Sequence, residues 1–511
     1  MILVLNLGLK SMRAIVFNEK GEKINSSSLP VKTILRGDFV EQNPIEWWDK
    51  GVEVVKKVIS ETEIRKSIDY ITVTSSSSCL VTLDKFGNSL RNCIMVSDKR
   101  ATQQAEELNN LNIFKEIKAS SNNIFALPSL MIPKIMWIKA HEPELFEKIE
   151  YFLSPNDYFI YKMTGNFVTD ILNAEKFYYN IDKRCYPKLL FEKIGLSEKK
   201  LPIVKDIGFT VGKVEKQYKS KVGFLKASQI KVVLSTYDAI CAIFGSGGGK
   251  DGDGCDVSGT VSSLRVLSKH KPNYFNKTIF SQYVPNNDFY IIGGSNNLGG
   301  GLIEWMKQCF YTAEKFPYEI MEREAQNSMP GANGIVFLPY LMGERAPLWN
   351  NTARGVLFGL ERFHSRGDIT RAVFESTGFS IYHIAEQIKS QGHNLNSIRF
   401  SGGLSRIKLI GKIKADIFGK KVYIVDEYET TSVGAFILVA ISQKLFSSLS
   451  HASEIIKIRE IILPDMVKHD IYKKYYGMYN DLYKALIPIY RKRKKIVDQV
   501  YFGKSENIEN L

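Results

Sequence analysis

Short apolar runs separated by small or polar residues predict paired strands at two places in the chain. The run at 2–5 is followed by Gly8 and by a second run at 12–17, an order that predicts strand, tight turn and strand. Residues 256–267 repeat this order. The two predicted hairpins, about 250 residues apart, suggest a duplicated α/β domain, although a hairpin is too small a unit to prove duplication.

A third apolar run, at 232–234, leads through three polar residues to Asp238. A carboxylate at the end of a buried strand lies where a parallel sheet opens its ligand crevice. Twenty residues later, Ser-Gly-Thr at 258–260 predicts a hairpin tip whose backbone N–H groups can approach phosphate oxygens. Both features are also ordinary turn sequences. Together they support the hypothesis of a carboxylate base beside a phosphate cradle, which transfer of a phosphoryl group to a hydroxyl needs.

Helical periodicity follows in the second half of the chain. The strand 398–400 leads into the small residues 401–403 and then into a helix with one apolar face, formed by Ile410, Ile413 and Ile417. Strand, small-residue loop and helix form a place where backbone can contact a nucleotide. A second helical face contains Ile369, Ala372, Val373 and Ser376, with Asp368 near the start of the helix, and these positions predict core packing.

The glycine-rich stretch 245–254 lies just before the second hairpin and is the natural hinge. It contains the pattern GxGxxG at Gly247, Gly249 and Gly252, but a strand is predicted to follow it instead of the helix that a dinucleotide site requires. The P-loop pattern GxxxxGK[ST] does not occur in the sequence. A kinase would therefore need a different phosphate cradle.

Composition is that of an ordinary globular protein. The 511 residues favour two or three domains, and 44% hydrophobic residues with 24% charged residues predict a chain that folds throughout. Six cysteines without a CxxC pair indicate reduced, mostly buried thiols. No signal peptide is visible and no run approaches the ~20 apolar residues of a membrane helix, so we expect a cytoplasmic protein without a membrane partner.

The net charge of +15 suits polyanions, and residues 491–495 (Arg-Lys-Arg-Lys-Lys) form the densest basic cluster. This cluster lacks interleaved aromatic residues, which favours a solvated helix face or tail over a nucleic-acid site. We therefore expect no nucleic-acid partner. A general positive field would instead help attract ATP and phosphorylated metabolites.

The chain resembles the FGGY carbohydrate kinases, which include xylulokinase and glycerol kinase. The resemblance covers essentially the whole chain. The C-terminal family signature is satisfied in full by residues 355–360, 368–369 and 372–375, whereas the N-terminal signature around Lys134 and Trp137 is partial. Residues 337–340 and 343–349 look most like the xylulokinase branch.

The resemblance implies an α/β fold with two duplicated ribonuclease-H-like (actin-like ATPase) domains and a cleft between them. It implies an N-terminal domain at 1–246 on the sugar-binding side and a C-terminal domain at 247–511 on the nucleotide-binding side. The implied activity is ATP-dependent phosphorylation of a sugar or polyol, with ATP and Mg²⁺ as cofactors. Whether the protein forms a homodimer stays open.

Site residues follow from the same resemblance. Asp238 matches the catalytic base, which also contacts the substrate, and Asp98 and Arg100 match the sugar side. Ser77 and Ser78, which stand in the sugar loop, are also expected to bind the substrate. The nucleotide and phosphate side is matched by Gly8, Lys10, Ser11, Arg13, Ser258, Gly259, Thr260, Gly300, Glu304, Gly402 and Gly403.

Two loops depart from the family pattern. Family members generally have Asp-x-Gly-Thr-Thr/Ser in the first phosphate loop, where this chain has Asn6 and Leu9, so no metal ligand is certain there; Lys10 can neutralise phosphate directly. Xylulokinases have Gly-Gln-Met-His-Gly where this chain has Ser-Ser-Ser-Ser-Cys at 75–79, which puts D-xylulose in doubt as the substrate.

The departures leave a second hypothesis open, a catalytically impaired relative that binds a sugar or nucleotide and acts as a sensor or scaffold. A third, an actin-like ATPase or chaperone, lacks support from the complete C-terminal signature. The sequence leaves open the sugar, the hydroxyl phosphorylated and the oligomeric state.

Overall fold

The structure is a computed structural model that describes residues 1–115, 126–224, 229–272, 278–284, 288–426 and 429–502. The chain forms two compact units. Unit 1 contains Met1–Lys250, Gln282–Phe289 and Glu429–Ile456, and unit 2 contains Asp251–Ser281, Tyr290–Tyr428 and Lys457–Leu511. Both units are therefore discontinuous in sequence, and the first passage between them falls inside the glycine-rich stretch 245–254. Motion at this stretch stays a prediction.

The strands of the described residues are β1 (Ile2–Leu7), β2 (Ser11–Phe17), β3 (Lys23–Pro30), β4 (Ile34–Arg36), β5 (Phe39–Gln42), β6 (Tyr70–Ser75), β7 (Val81–Leu83), β8 (Cys93–Ile94), β9 (Tyr151–Leu153), β10 (Val168–Asp170), β11 (Ile203–Lys205), β12 (Thr210–Lys213), β13 (Lys231–Val233), β14 (Asp253–Ser258), β15 (Ser262–Ser268), β16 (Phe280–Val284), β17 (Phe289–Ser295), β18 (Val336–Leu338), β19 (Val356–Phe358), β20 (Ser397–Ser401), β21 (Val422–Val425) and β22 (Ile458–Ile462).

The α-helices are α1 (Pro44–Val58), α2 (Thr62–Ser67), α3 (Thr102–Asn110), α4 (Met131–His141), α5 (Pro143–Lys148), α6 (Pro155–Thr164), α7 (Ile171–Ala174), α8 (Lys188–Ile194), α9 (Lys216–Val222), α10 (Asp238–Gly245), α11 (Gly300–Phe310), α12 (Pro317–Gln326), α13 (Arg366–Ser390), α14 (Lys408–Phe418), α15 (Thr430–Ser442), α16 (Leu449–Ser453) and α17 (Met466–Phe502). Short 3₁₀ turns occur at Glu175–Phe177, Glu198–Lys200, Ala332–Gly334 and Gly403–Arg406.

The main sheet of unit 1 has the strand order β12-β13-β6-β1-β2-β3. Strand β1 runs antiparallel to β2 and parallel to β6, so it lies in the middle of the sheet. All residues of β1 are buried, as its nearly continuous apolar sequence requires for a strand covered on both faces. The edge strand β3 is polar and alternates between exposed and half-buried positions. The hairpin predicted at 2–17 is confirmed.

The main sheet of unit 2 has the order β16-β17-β15-β14-β20-β21-β22. Strand β14 runs antiparallel to β15 and parallel to β20, the same relation that β1 has to β2 and β6. The second hairpin, predicted at 256–267, is therefore confirmed. Because β14 begins at Asp253, a strand and no helix follows the GxGxxG pattern, as predicted.

Helices α10 and α15 of unit 1 pack with their backbones in contact. A Cβ added at Gly245 would lie 1.7 Å from the carbonyl oxygen of Thr430, and one added at Gly434 would lie 1.7 Å from that of Cys241. Such distances exclude any side chain at both positions. Glycine therefore lets the end of α10, at Gly245, contact the start of α15, at Thr430, while Cys241 in the middle of α10 contacts Gly434.

Helix α13 begins with a capping box. The Ser365 hydroxyl accepts a hydrogen bond from the Asp368 backbone N–H at 3.3 Å, and the Asp368 carboxylate accepts one from the Ser365 backbone N–H at 2.8 Å. Ser328 also donates to Asp368 at 2.6 Å. Burial acts to raise the pKa of Asp368, but these hydrogen bonds lower it to about 2. The apolar positions predicted for this helix, including Ala372 and Val373, pack in the core of unit 2.

Replacing Asp368 by Ala should lower the free energy of unfolding by ~1–3 kcal/mol, because the cap and the buried hydroxyl of Ser328 lose their acceptor. Urea denaturation followed by circular dichroism measures this loss. Asp470→Ala in α17 is the control, since Asp470 is exposed and its ion pair with Lys473 is 3.8 Å long. Equal effects of the two substitutions would contradict the assigned role.

The same cap has a defined pH dependence. The folded-state pKa of Asp368 lies below its ordinary value of 3.8, so its stabilisation is present above pH ~3.8 and is lost as the pH falls toward ~2. The stability difference between the native chain and Asp368→Asn should shrink over that window.

Candidate active site

The first glycine turn lies between β1 and β2 at the carboxyl end of β1. The backbone N–H of Gly8 donates to the carbonyl of Ser11 at 3.0 Å, which closes the turn. A Cβ added at Gly8 would lie 3.0 Å from the guanidinium of Arg13, so a larger residue would displace that side chain. Leu9 and Lys10 are exposed on the turn. The predicted residues Gly8, Lys10, Ser11 and Arg13 therefore form one local structure.

Asn6, at the base of this turn, is buried and belongs to a chain of side-chain hydrogen bonds. Its amide donates to the Ser432 hydroxyl at 2.9 Å, and Ser432 donates to Glu429 at 3.5 Å. Glu429 in turn accepts two hydrogen bonds from Arg13, at 2.7 and 2.9 Å. The chain joins both ends of the turn to the start of α15. Sequence reasoning missed Ser432 and Glu429, which lie more than 400 residues from their partners.

Asp238 is the first residue of α10 and is partly exposed. Its Oδ2 accepts a hydrogen bond from the Ser76 hydroxyl at 3.0 Å, and its Oδ1 accepts one from the Ala239 backbone at 2.7 Å. The sequence placed this carboxylate at a strand end, but β13 ends at Val233 and a short connection carries the chain to the helix. The structure brings together Asp238 and the serine loop that begins at Ser76.

The connection to Asp238 is held by buried hydroxyls. Ser235 donates to the carbonyl of Val73 in β6 at 2.7 Å, and Thr236 donates to the carboxylate of Asp170 at 2.8 Å. Asp170 also caps α7. Asp170 is a residue that sequence reasoning missed, and it fixes the segment that positions Asp238.

The serine loop is clamped by Lys134, which is fully buried. Its ammonium donates to the carbonyls of Ser78 at 2.5 Å and Met95 at 2.9 Å, and burial lowers the pKa of Lys134 to about 8. Ser78 has a left-handed backbone (φ 58°), which costs energy in a residue with a side chain. Lys134 therefore supports the conformation of Ser78. Ser77 is half-buried on the same loop.

The predicted pair Asp98 and Arg100 forms a buried ion pair, with two hydrogen bonds of 2.9 and 2.8 Å. Arg100 also donates to Glu41 at 2.7 Å, and the guanidinium lies 4.1 Å from the centre of the Phe39 ring. Burial acts to raise the pKa of Glu41, but hydrogen bonds from Arg100 and Asn92 hold it below its usual range. These groups satisfy one another inside unit 1.

Three glycine segments converge in unit 2. The N–H of Gly300, at the start of α11, donates to the carbonyl of Gly259 at 2.6 Å, and an added Cβ there would lie 2.7 Å from that oxygen. Gly402 has φ 89°, and its Cβ would lie 2.5 Å from the carbonyl of Ser258. At Gly403 an added Cβ would meet no atom within 4 Å. The hairpin tip, the helix start and the loop after β20 are thus in contact, with open space at Gly403.

Beneath the hairpin tip lies a buried polar cluster. The ammonium of Lys414 donates to the carboxylate of Asp256 and, at 3.2 Å, to the hydroxyl of Ser258, which itself donates to Asp256 at 2.6 Å. Burial lowers the pKa of Lys414 although Asp256 opposes the shift. The cluster fixes the strand that ends at Gly259 and Thr260. The sequence carried no signal for Lys414.

Glu304, the last predicted nucleotide-side residue, lies one helical turn beyond Gly300. It forms an ion pair with Lys307 at 2.5 Å and accepts a hydrogen bond from Tyr318. These bonds, that from Lys307 first, lower the pKa of Glu304. The structure therefore ties Glu304 to the helix surface of unit 2.

In the described residues no group of three or more His, Cys, Asp or Glu side chains could hold a metal ion. A Mg²⁺ that travels with a nucleotide keeps several waters and needs only one or two carboxylates besides phosphate oxygens. The partly exposed carboxylate of Asp238 fits such an ion. Within the same residues, no helix is both long and apolar enough to cross a bilayer.

Comparison with known proteins gives consistent matches over nearly the whole chain. The N-terminal domain of the FGGY family of carbohydrate kinases matches residues 1–245, and the C-terminal domain of that family matches residues 257–443. The chain is 29% identical to a xylulose kinase of Staphylococcus epidermidis over 489 residues, which cover 94% of this chain and 96% of the relative. It is 28% identical to a xylulose kinase of Bacillus subtilis over 488 residues, with the same coverage of each.

Among solved structures, a gluconate kinase from Lactobacillus acidophilus superposes with a TM-score of 0.88 at 23% identity. The match covers 96% of this chain and 99% of that protein. At this identity the likeness shows the fold alone.

The hydrogen-bond chain at Asn6 makes a stability prediction. Ser432→Ala should lower the free energy of unfolding by ~1–3 kcal/mol, because the buried amide of Asn6 loses its acceptor. Ser442→Ala is the matched control in the same helix, since the Ser442 hydroxyl donates to the carbonyl of Val439 in its own helix and accepts from the neighbouring side chain of Gln443. Thermal and urea unfolding of both variants measure the effect. A loss from Ser432→Ala no greater than that of the control would contradict the role of the chain.

Proposed function

The chain belongs to the FGGY family of carbohydrate kinases, and on that premise we propose that it transfers the γ-phosphoryl group of ATP to a hydroxyl group of a sugar, polyol or sugar acid. The observation that carries this proposal is the hydrogen bond between Ser76 and Asp238. It joins a partly exposed carboxylate to the loop after β6, which carries the three serines 76–78, and hydroxyls suit a polyol ligand.

In the proposed reaction Asp238 accepts the proton of the attacking hydroxyl. The substrate oxygen forms a bond to the γ-phosphorus as the bond from that phosphorus to the β,γ-bridging oxygen breaks, and ADP leaves. Catalysis of this kind depends on positioning and on neutralising charge. Bound with the nucleotide, Mg²⁺ would supply part of that neutralisation. The contribution of this chain is to hold the carboxylate through Ser76 and Ala239 and to hold the connection before it through Ser235 and Thr236.

On the nucleotide side, the converging glycines of unit 2 support the proposal. Only glycine permits the backbone contacts of Gly300 with Gly259 and of Gly402 with Ser258. We assign the tip at 258–260 to the phosphates and the open space at Gly403 to the nucleoside. Lys10, on the first turn of unit 1, is assigned to phosphate.

The hypothesis of an impaired, purely regulatory protein rested on Asn6 and Leu9. Asn6 is held by hydrogen bonds that run through Ser432 to Glu429, and so its presence does not leave the first turn without support. The described residues offer no observation that favours a regulatory role, and catalysis is the function that we put forward.

The first test is ADP release from ATP with a panel of ketoses, polyols and sugar acids. We expect at least one compound to stimulate release strongly, because the serine loop offers hydroxyls in place of the side chains that xylulokinases use. The relatives named as xylulose and gluconate kinases make a ketopentose and an aldonate the first compounds to try. A folded protein that no member of the panel stimulates would argue against carbohydrate phosphorylation.

The second test concerns the base. Asp238→Asn should lower turnover by ~10²–10⁴, because the amide cannot accept the proton, while sugar affinity measured by calorimetry changes only severalfold. Asp49→Asn is the control, since Asp49 is exposed and its nearest cation, Lys221, lies 3.6 Å away. If Asp238→Asn kept most of the activity, the base would have to be another group.

A further inference from the structure

Helix α17, the last helix among the residues that the structure describes, extends beyond the core of unit 2. Its first part is anchored by buried tyrosines, of which Tyr483 and Tyr490 are the last two. None of residues 491–501 is buried. The final three turns that the structure describes therefore have both a polar and an apolar side in contact with solvent.

The exposed apolar side is formed by Ile489 (55% exposed), Ile496 (49%), Val500 (67%) and Tyr501 (75%). At 3.6 residues per turn these positions share one side of the helix, and the partly exposed Val497 lies between them. We call residues 489–501 the C-terminal amphipathic segment. A patch of this kind on a protein surface marks an interaction site.

The opposite side of the segment is basic. Arg491 and Lys495 lie at its centre, and Lys492 and Lys494 lie along the two borders with the apolar side. Arg493 falls within the apolar side, where its long stem can pack and its guanidinium can still reach polar surroundings. Within the described part of the chain, Lys494 is the one of these five cations that forms an ion pair, at 3.9 Å from Asp498.

We propose that the C-terminal amphipathic segment binds the surface of a lipid bilayer that contains anionic headgroups. A helix with one apolar side and one cationic side lies in the plane of a bilayer interface, with the apolar side among the acyl chains. Lysines at the borders are placed to contact lipid phosphates, and the charge of +15 on the whole chain adds long-range attraction. The contact is peripheral.

The charge and the apolar side of the segment argue against two other binding partners, a second copy of the chain and a nucleic acid. A second copy of the chain would bring a second row of unpaired cations against the first, which like-charge repulsion opposes. A nucleic acid would use the cations but would leave the apolar side in water. An anionic bilayer engages both sides of the segment at once.

The test is co-sedimentation of the full-length protein with vesicles. Vesicles of phosphatidylcholine alone are compared with vesicles in which part of this lipid is replaced by phosphatidylglycerol. We expect binding to the anionic vesicles, weakening as salt is raised, and little binding to the neutral ones. Binding to neither vesicle, or to both equally, overturns the proposal.

Variants separate the two sides. The triple change Lys492→Gln, Lys494→Gln and Lys495→Gln should weaken binding about a hundredfold, at about fivefold per lysine. The control removes three exposed lysines of unit 1, Lys213→Gln, Lys216→Gln and Lys231→Gln, for the same net charge, and should change binding less than about tenfold, through the long-range field alone. Equal losses in both triples would overturn the proposal.

The apolar side is tested with Ile496→Ser, Val500→Ser and Tyr501→Ser in one chain, which should weaken vesicle binding even at low salt. Circular dichroism and ADP release of each variant check that the fold is kept. Dimerisation that this variant abolishes, without vesicle binding by the native chain, would overturn the proposal in favour of a second copy. If the native chain bound duplex DNA through the three lysines and did not bind vesicles, the proposal would be overturned in favour of a nucleic-acid partner.

Discussion

Contact between the backbones of α10 and α15 is the constraint on which the candidate site of unit 1 depends. Gly245 and Gly434 permit an approach that any side chain would prevent. Helix α10 begins with Asp238, and α15 carries Ser432, which accepts the hydrogen bond from Asn6. The distance between these helices therefore sets where the carboxylate lies relative to the first glycine turn. A change in helix packing would therefore shift the proposed base relative to one proposed phosphate turn.

The two hairpins share a plan but are fixed by different means. In unit 1 the turn after β1 is held by side chains, through Asn6 and Arg13, which reach to α15. In unit 2 the tip after β14 is held by backbone, through the contact of Gly259 with Gly300, and from below by Lys414. Buried polar groups need partners in both cases. The physical requirement is common to both units, and the residues that meet it are different.

Local features were predictable from the sequence, because they leave a signal within a few residues. The two hairpins, the packing face of α13 and four buried cysteines of the six are confirmed. The family and the fold class of two α/β domains are confirmed by matches over nearly the whole chain. The domain boundaries and the roles of the site residues stay predictions.

Partners that meet across long sequence separations were not predictable. Ser76 lies 162 residues from Asp238, Lys414 lies 158 from Asp256, and Ser432 lies 426 from Asn6. A single hydrogen bond imposes no periodic pattern on the sequence at either end. The sequence predicted a substrate-binding loop that includes Ser76, but the residues assigned to the substrate were Ser77 and Ser78. Four serines in a row do not reveal which one contacts the carboxylate.

The direction of the hydrogen bonds at Asn6 explains how an amide can stand where the family has a carboxylate. Asn6 donates to Ser432, which leaves the Ser432 hydroxyl free to donate to Glu429. An aspartate at position 6 would compete with Glu429 for that one hydroxyl proton and would add a buried negative charge beside the half-buried Glu429.

The amide also changes the charge of the turn. Arg13 and Glu429 neutralise each other at 2.7 Å, and Asn6 carries no charge, while the exposed Lys10 forms no ion pair within the described part of the chain. The turn thus has a net positive charge, whereas an aspartate at position 6 would cancel it. A positive turn attracts phosphate oxygens directly. With an amide at position 6, the turn lacks a carboxylate that would help to hold a hydrated metal ion. For the same reason no carboxylate at position 6 cancels the positive charge of Lys10, which stays available to phosphate.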